Sequence, residues 1–391
     1  MHPTQSSGGT EAPATFALII GIDKYKAGSS QFSRLKGAVN DAELFQKFLT
    51  DPHNDDGLEV PSSHIVFLAN EKATFSAILS NFRSHLLNNP NIPRGAAIIF
   101  FFAGHGSRVH DDGNRMAKDG KVEVICPVDE RTNVGGNKVP AIPDYVLAHL
   151  FKQLSDEKGN NITVILDTCH SGGMARDSEN LRVRSPPTPS ANIVDEELNT
   201  ALEKANSACD YSVWSPLSTS HTLLAACGPQ SMAFETSSRP HNGLFTTALV
   251  NALRHAVRQG TTTYNDLIER LPAFTVAQTP LCIGIHKDRL LFTTNHPVRG
   301  IRTLPLTEKE VLILKIGSDD DVDEGNTFIV TASTGRESTF TAPMVTPDRS
   351  ILASPTPGPF DVLKESHAVI EGDTNMPVEP VRLTQKSTSQ A

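Results

Sequence analysis

Ala96-Ala-Ile-Ile-Phe-Phe-Phe-Ala-Gly-His105-Gly and Ile162-Thr-Val-Ile-Leu-Asp-Thr-Cys169-His-Ser-Gly-Gly173 are the two stretches that decide the fold. Each is a continuous apolar run stopped by a turn containing Gly, the pattern of a strand buried on both faces of an α/β sheet. Neighbouring parallel strands deliver His105 and Cys169 to one carboxyl edge, where open sheets of this kind place their sites. A thiol brought to an imidazole is a nucleophile beside its base.

Working outward, strand and helix patterns alternate. Phe16–Asp23 reads as a central strand and Leu35–Thr50 as a helix with an apolar face of Leu35, Val39, Leu44, Phe45 and Phe48. Ile65–Leu68 reads as a short strand, and Thr74 caps a helix running to about Asn88, closed by Pro90 and Pro93. Val122–Val128 is a small β excursion, and Pro143 opens a helix to Leu154. After the Cys169 strand come a strand at Thr222–Ala226, helices at Gly243–Arg258 and Tyr264–Leu271, and a strand at Arg289–Thr293. Strands alternating with helices at these spacings imply a mostly parallel sheet covered on both faces.

Two regions break the rhythm. The stretch 174–215 is rich in Pro, Ser and basic residues, with a helix signal only at Val194–Ala208, and is expected to be an exposed, protease-accessible loop. Beyond residue 295 helix signals are largely missing. Val311–Ile316 and Thr327–Thr331 are strand-like and flank an acidic run, Asp319–Glu324. The expected organisation is a disordered tail at 1–15, one α/β domain at 16–295, a small β-rich appendage at 296–363 and a flexible tail at 364–391.

With 391 residues, 38% hydrophobic and 20% charged, the chain suits a soluble globular protein. A net charge of −9 argues against nucleic acid or an anionic membrane as partner. The longest apolar run, Ala96–Ala103, is far short of a membrane span. The 5 cysteines are odd in number, widely spaced and free of any CxxC pair, the usage of a reducing compartment. The cytoplasm or the nucleus is the expected location.

The site chemistry follows from position. A free thiol has a pKa of roughly 8.5 and needs help to attack an amide at neutral pH. His105 would take the thiol proton or protonate the leaving amine. The backbone N–H groups of Gly106 and Cys169 would converge on one point as an oxyanion hole, worth about 3 kcal/mol per donor. The blander readings are an inert core cysteine at Cys169 and a loop histidine at His105. The two residues occurring together at matching strand ends, each beside Gly, favours the reactive pair.

At this point the residues resemble the caspase-like cysteine peptidases, nearest to metacaspases and the caspase-domain proteins of fungi. The resemblance rests on Gly-His105-Gly and Asp-Thr-Cys169-His-Ser-Gly, with Leu18-Ile-Ile-Gly-Ile-Asp-Lys-Tyr25, Leu35-Lys-Gly-Ala-Val-Asn-Asp41, Pro127-Val-Asp129 and Leu224-Ala-Ala-Cys227 in support. It covers about residues 16–295. It implies a caspase-like, mostly parallel sheet flanked by helices, with His105 and Cys169 as a catalytic dyad. It also implies that Asp41 and Asp167 line the first specificity pocket, which takes Arg or Lys before the cut. Paired carboxylates suit a guanidinium; the alternative is that Asp41 pairs locally and Asp167 tethers its own turn. Ala38 and Ala103 stand where metacaspases often carry Cys and Ser beside that pocket.

Calcium-dependent members hold their ion with several Asp. Here Asp119 and Asp144 remain, while Val122, Pro143 and Arg176 occupy positions usually acidic. A hard dication takes about six to eight oxygen ligands, so no metal or other cofactor is expected. The loop at 174–215 offers Arg176, Arg182, Arg184 and Lys204 to a peptidase that cuts after basic residues, and Asp177, Asp195 and Asp210 to one that cuts after acidic residues. The expected function is therefore a cysteine endopeptidase acting on proteins or peptides, cutting after Arg or Lys and processing itself in that loop. Two alternatives stand beside it. A catalytically silent scaffold would use the same fold, although both dyad residues are present. A tyrosine-phosphatase loop fails on spacing, because Arg176 lies one residue too far from Cys169.

Overall fold

The alternation of apolar side chains along Ala97–Ala103 separates two cores. Ile98, Phe100 and Phe102 fall on one face of the strand, and Ala97, Ile99, Phe101 and Ala103 on the other, all buried. A strand buried on both sides needs layers above and below. In the computed structural model, which describes residues 14–27, 32–110, 121–169, 181–184, 212–228, 231–236, 239–259, 262–272, 274, 278–294 and five strands beyond, those layers are helices.

In chain order, β1 (Thr15–Gly21) is followed by helix α1 (Ala38–Thr50), β2 (Ile65–Ala69) and helix α2 (Phe75–Asn81). The Thr74 hydroxyl accepts the Ala77 N–H at 3.2 Å and so caps α2. The helical path continues as a π-helical stretch, Phe82–Leu87, which seats Phe82 against Phe100 and Phe151. Next come β3 (Ala97–Ala103), β4 (Gly106–His110) and β5 (Lys121–Ile125). The short strands β6 (Asn133–Val134), β7 (Asn137–Lys138) and β8 (Ile142–Pro143) lead to helix α3 (Asp144–Lys158), with Pro143 at its N-cap. The remaining elements of this unit are β9 (Ile162–Asp167), β10 (Leu181–Val183), β11 (Thr222–Ala225), β12 (Phe234–Thr236), helices α4 (Leu244–Gln259) and α5 (Tyr264–Glu269), and β13 (Leu281–Ile283).

The main sheet has the order β13-β11-β9-β3-β1-β2. All neighbouring pairs are parallel except β11 with β13. Residues of α2, the π-helical stretch and α3 pack on one face, and those of α1, α4 and α5 on the other. This is the expected α/β sheet flanked by helices. The chain moves from β1 to β2 on one side and to β3 on the other, which opens a crevice at the carboxyl ends. There β3 and β9 are in register, Ala103 against Asp167. Two residues beyond each lie His105 and Cys169.

One strand differs from expectation. Arg289–Thr293 is not a strand of the sheet; the sixth strand is Leu281–Ile283, antiparallel to β11. Phe292 adopts φ 59° and donates its N–H to the Tyr264 hydroxyl at 2.9 Å, which fixes that stretch as a turn. The helix signal at Val194–Ala208 and the tail at 1–13 lie outside the described residues. Among those described, no helix is long and apolar enough to cross a membrane.

The chain divides into two compact units, the second formed by residues 288–290 and 294–391. Its described elements are β14 (Leu312–Leu314), β15 (Thr327–Ala332), β16 (Glu337–Thr346), β17 (Arg349–Ala353) and β18 (Ser366–Ile370). They form an antiparallel sheet in the order β14-β17-β16-β15-β18. The strand β18 falls in the stretch from 364 onward that the sequence reads as loose; it pairs along β15 from Phe328↔Ile370 to Ala332↔Ser366.

Candidate active site

His105 is fully buried just past β3. Tyr25 and Phe32 flank its ring at centroid distances of 5.0 and 5.7 Å, and the Tyr25 hydroxyl accepts its backbone N–H at 2.8 Å. Its Nε2 lies 2.7 Å from the Ser33 carbonyl oxygen. A carbonyl only accepts, so Nε2 carries the proton and Nδ1 is left with its lone pair. That Nδ1 is buried and makes no hydrogen bond. Burial pushes the His105 pKa down to about 4, against the opposing effect of the Ser33 carbonyl. The ring is thus a neutral base aimed into the crevice.

Cys169 is also fully buried. Its Sγ donates to the Ala233 carbonyl at 3.0 Å and receives the Ala233 N–H at 2.7 Å, so the thiol is turned to Ala233 and makes no hydrogen bond to His105. Cys227 lies next to it at the end of β11. The Cys169 sulfur, together with burial, pushes the Cys227 thiol well up, which holds it as an unreactive thiol.

A segment of the 174–215 loop fills the crevice. β10 pairs antiparallel with β12, Leu181 with Thr236, Arg182 with Glu235 and Val183 with Phe234. Just beyond it the Arg184 N–H donates to the Ala233 carbonyl at 3.2 Å. The Arg184 carbonyl oxygen then receives the Gly106 N–H at 3.2 Å and the Cys169 N–H at 3.3 Å. These are the two amides that the strand ends were expected to converge. Gly106 is required for this approach, since a Cβ there would lie 2.3 Å from Thr168 Oγ1 and 2.5 Å from the Cys169 carbonyl oxygen.

The Arg184 side chain is fully buried among carboxylates. Nη2 lies 2.5 Å from Asp41 Oδ2, and Nη1 lies 3.0 Å from Asp167 Oδ1 and 3.1 Å from the Asp167 carbonyl oxygen. A third acid, Glu235, lies 3.5 Å from Nη2. Burial pushes Asp41 up to about 7; Arg184 opposes this and Asp167 adds to it. Burial works against the Arg184 charge too, but Asp167, Asp41 and Glu235 outweigh it and hold the guanidinium protonated.

Each acid also tethers the start of α4, far from its own turn in the chain. Asp41 accepts the Gly243 N–H on both oxygens at 2.9 Å and the Asn242 amide at 3.0 Å. Asp167 Oδ2 accepts the Thr246 hydroxyl at 2.6 Å.

The structure therefore brings His105, Gly106, Cys169, Asp41 and Asp167 around one residue of the same chain. The sequence reading missed Glu235, the Ser33 carbonyl and Ala233. Two of these act through backbone atoms that leave no trace in residue type. Of the positions raised for calcium, Val122, Pro143 and Asp144 are among the described residues. Val122 and Pro143 carry no ligand atom on their side chains, and Asp144 accepts the Ser212 hydroxyl at 2.7 Å. Asp119 and Arg176 lie outside the described residues.

A family profile for the caspase domain matches residues 14–282. Metacaspase-1 of Saccharomyces cerevisiae is 29% identical over 187 residues, which cover 43% of this chain and 38% of the relative. Metacaspase-1 of Cryptococcus neoformans is 33% identical over 162 residues, 40% of this chain and 32% of the relative. Metacaspase-7 of Arabidopsis thaliana is 26% identical over 221 residues, 56% of this chain and 48% of the relative. The chain thus spans less than half the length of the curated relatives it matches. Among solved structures, a Geobacter sulfurreducens protein superposes with a TM-score of 0.46 at 16% identity, covering 72% of this chain and 97% of that one.

Proposed function

We propose, from the premise that this chain belongs to the caspase-domain family, that it is a cysteine endopeptidase. It cuts after a basic residue and its first substrate is its own Arg184–Ser185 bond. The observation that carries this reading is Arg184 itself. Its carbonyl oxygen sits on two backbone donors while its side chain sits among three carboxylates. An extended segment added to a sheet edge, with one side chain in a pocket, is how a strand-shaped peptide is held for cutting.

The reaction runs from that arrangement. The Cys169 thiol rotates from Ala233 toward the Arg184 carbonyl carbon and gives its proton to His105 Nδ1. Sulfur bonds to carbon, and the carbonyl oxygen takes the negative charge between the Gly106 and Cys169 amides. The tetrahedral centre collapses, the Arg184–Ser185 C–N bond breaks, and His105 returns the proton to the departing amine of Ser185. Water, deprotonated by His105, then hydrolyses the thioester and frees the Arg184 carboxylate and the thiol. The Ser33 carbonyl keeps the ring in the tautomer that this requires. No metal or cofactor is assigned a step.

A second reading is favoured by the orientation of Cys169 Sγ toward Ala233. In it the domain is a silent scaffold, closed by its own loop. Protein or peptide substrates are assigned under the first reading, and nucleic acid and membranes under neither. Free thiols at Cys126, Cys169 and Cys227 support a reducing compartment, the cytoplasm or the nucleus. The deciding experiment is hydrolysis of fluorogenic peptides ending in Arg, Lys or Asp by the full chain, before and after loop cleavage, beside Cys169→Ala. Turnover after Arg or Lys that disappears in the variant supports the peptidase. Turnover after Asp keeps the dyad and removes the acidic pocket; no turnover in any form supports the scaffold.

A further inference from the structure

We infer that Arg131 is a positioning residue for the base His105, acting through the ring of Phe32. The inference rests on the peptidase reading above and goes beyond it, because it concerns neither the pocket nor the reacting atoms but the packing that aims one of them. What has to be held is the Ser33 carbonyl, the atom that fixes the His105 tautomer.

That carbonyl belongs to no ladder. Phe32 to Gly37 lies between β1 and α1 and forms neither helix nor strand. A backbone oxygen in such a stretch keeps its place only as firmly as the side chains beside it are packed. Phe32 is the side chain next to it. Its ring is buried and stacked on Tyr25, with centroids 4.4 Å apart and planes 12° from parallel. Tyr25 in turn takes the His105 backbone N–H, and the Cys126 N–H donates to the His105 carbonyl at 3.0 Å. The backbone of the histidine is therefore tied on both sides, while the orientation of its ring depends on the residue that follows Phe32.

Arg131 grips that ring as well. Its guanidinium carbon lies 4.6 Å from the Phe32 centroid. A cation over an aromatic face is attracted by the ring, and a planar guanidinium also stacks on it. The Arg131 side chain is only 8% exposed, and its Nε lies 3.3 Å from Glu130 Oε1, which keeps it from swinging out to water. Its backbone is held in an unusual conformation. Arg131 has φ 64°, the left-handed region that a residue with a Cβ rarely adopts. The turn that enforces it is bonded twice: the Arg131 N–H donates to the Val139 carbonyl at 2.9 Å, and the Val139 N–H to the Thr132 carbonyl at 2.8 Å. Strain of this kind persists only where the surroundings over-determine it, and it gathers at functional sites. Here it sets a guanidinium on the ring beside Ser33. The base is thus oriented by a third group, as a nucleophile–base pair requires, and that group is itself braced by Phe32 and Arg131.

The test uses the loop-cleaved full chain and the fluorogenic amide Leu-Arg-Val-Arg, copied from residues 181–184. Arg131→Met fills the space without the charge. It is expected to lower kcat at least about tenfold, a modest loss for a misaimed reacting group. KM is expected to stay within about twofold of wild type, since the pocket acids are untouched. Arg131→Lys keeps a cation over the ring and is expected to recover most of the loss. Phe32→Leu leaves the Arg131–Glu130 pair in place, so it supplies the test if Arg131→Met does not fold, and it is expected to show the same loss in kcat. Nitrogen NMR of isotope-labelled histidine in Cys169→Ala protein reads the tautomer directly, with the His105 signals identified by their loss in His105→Gln. The Nε2–H form is expected alone while Arg131 and Phe32 are present, and mixed with the other tautomer in Arg131→Met and Phe32→Leu. Unchanged kcat, a kcat loss that Lys does not relieve, or a single tautomer in every variant overturns the inference while leaving the peptidase standing. Inertness of wild type toward the amide overturns the peptidase reading and this inference with it.

Discussion

Arg184 Nη2 and Asp41 Oδ2 lie 2.5 Å apart, and neither side chain is exposed to solvent. A buried pair of this kind repays its desolvation only with the help of further hydrogen bonds; Gly243, Asn242 and the Asp167 carbonyl supply them here, while Arg184 Nε has none. Its consequence is occupancy. The pocket that would take the side chain of an incoming peptide is already filled by a residue of the 174–215 loop, and the amide pair beside it already holds a carbonyl.

The first prediction follows from which bond that carbonyl belongs to. On incubation, wild-type protein is expected to yield two pieces, 1–184 and 185–391, identified by intact mass. Cys169→Ala should remain whole, and Arg184→Ala should remain uncut at this bond. The loop also contains Arg176, Arg182 and Lys204. Early cleavage after one of those, with the Arg184–Ser185 bond intact, would contradict the docking of Arg184.

Gly243 carries the second prediction. Its N–H is donated to Asp41, and a Cβ at this position would lie 2.4 Å from Asp167 Oδ2, 2.8 Å from Asp41 Oδ2 and 3.1 Å from Arg184 Nη1. The pocket therefore closes on its cation only because this residue has no side chain. Gly243→Ala is expected to reduce kcat/KM for an Arg peptide by at least about a hundredfold, as two carboxylates and a guanidinium are pushed apart. The fold should survive, because the clash is with the ends of three side chains and not with backbone. Circular dichroism like that of wild type with lost turnover is the expected pair of results; unchanged turnover would mean that Arg does not enter this pocket.

Much of this arrangement is readable in the sequence. Buried parallel strands write long apolar runs, so β1, β3 and β9 announce themselves, and residues just beyond a run are placed by it. That is why His105 and Cys169 could be brought to one edge from spacing, whereas Asp41 and Asp167 came to the site through the family resemblance. Glu235 came through neither. It lies in a three-residue strand that pairs with Leu181–Val183 of the distant loop, so no local periodicity marks it. The Ser33 carbonyl is a backbone atom and has no residue type to read. Composition also treats Arg176, Arg182, Arg184 and Lys204 alike, whereas the choice of Arg184 is made by register against β12. The misplaced sixth strand has the same origin. Leu281–Ile283 is too short to show a pattern, while the apolar residues near Phe292 serve a turn pinned to Tyr264.

The last prediction concerns acid stability and a histidine outside the site. His221 is buried against Phe151, its Nε2 donates to the Val213 carbonyl at 3.2 Å, and its Nδ1 accepts from the Ser220 hydroxyl at 2.8 Å. Both ring nitrogens are thus satisfied in the neutral form. Burial pushes its pKa down to about 4 from an ordinary 6.5. Between those values the unfolded chain holds a proton that the folded chain refuses, so stability rises with pH across the window. The His221 contribution is fully present above about pH 6.5 and is lost as pH falls through 4, a change of about 3 kcal/mol. His105, lowered in the same direction, adds a parallel slope that is common to wild type and variant. His221→Gln keeps a donor for Val213 but does not titrate. Its unfolding free energy, measured in denaturant from pH 7.5 to 4, is expected to fall less steeply than that of wild type, so the gap between them narrows toward acid. Parallel curves would show that His221 takes up its proton in the folded state as readily as in the unfolded one, contrary to the burial that lowers its pKa.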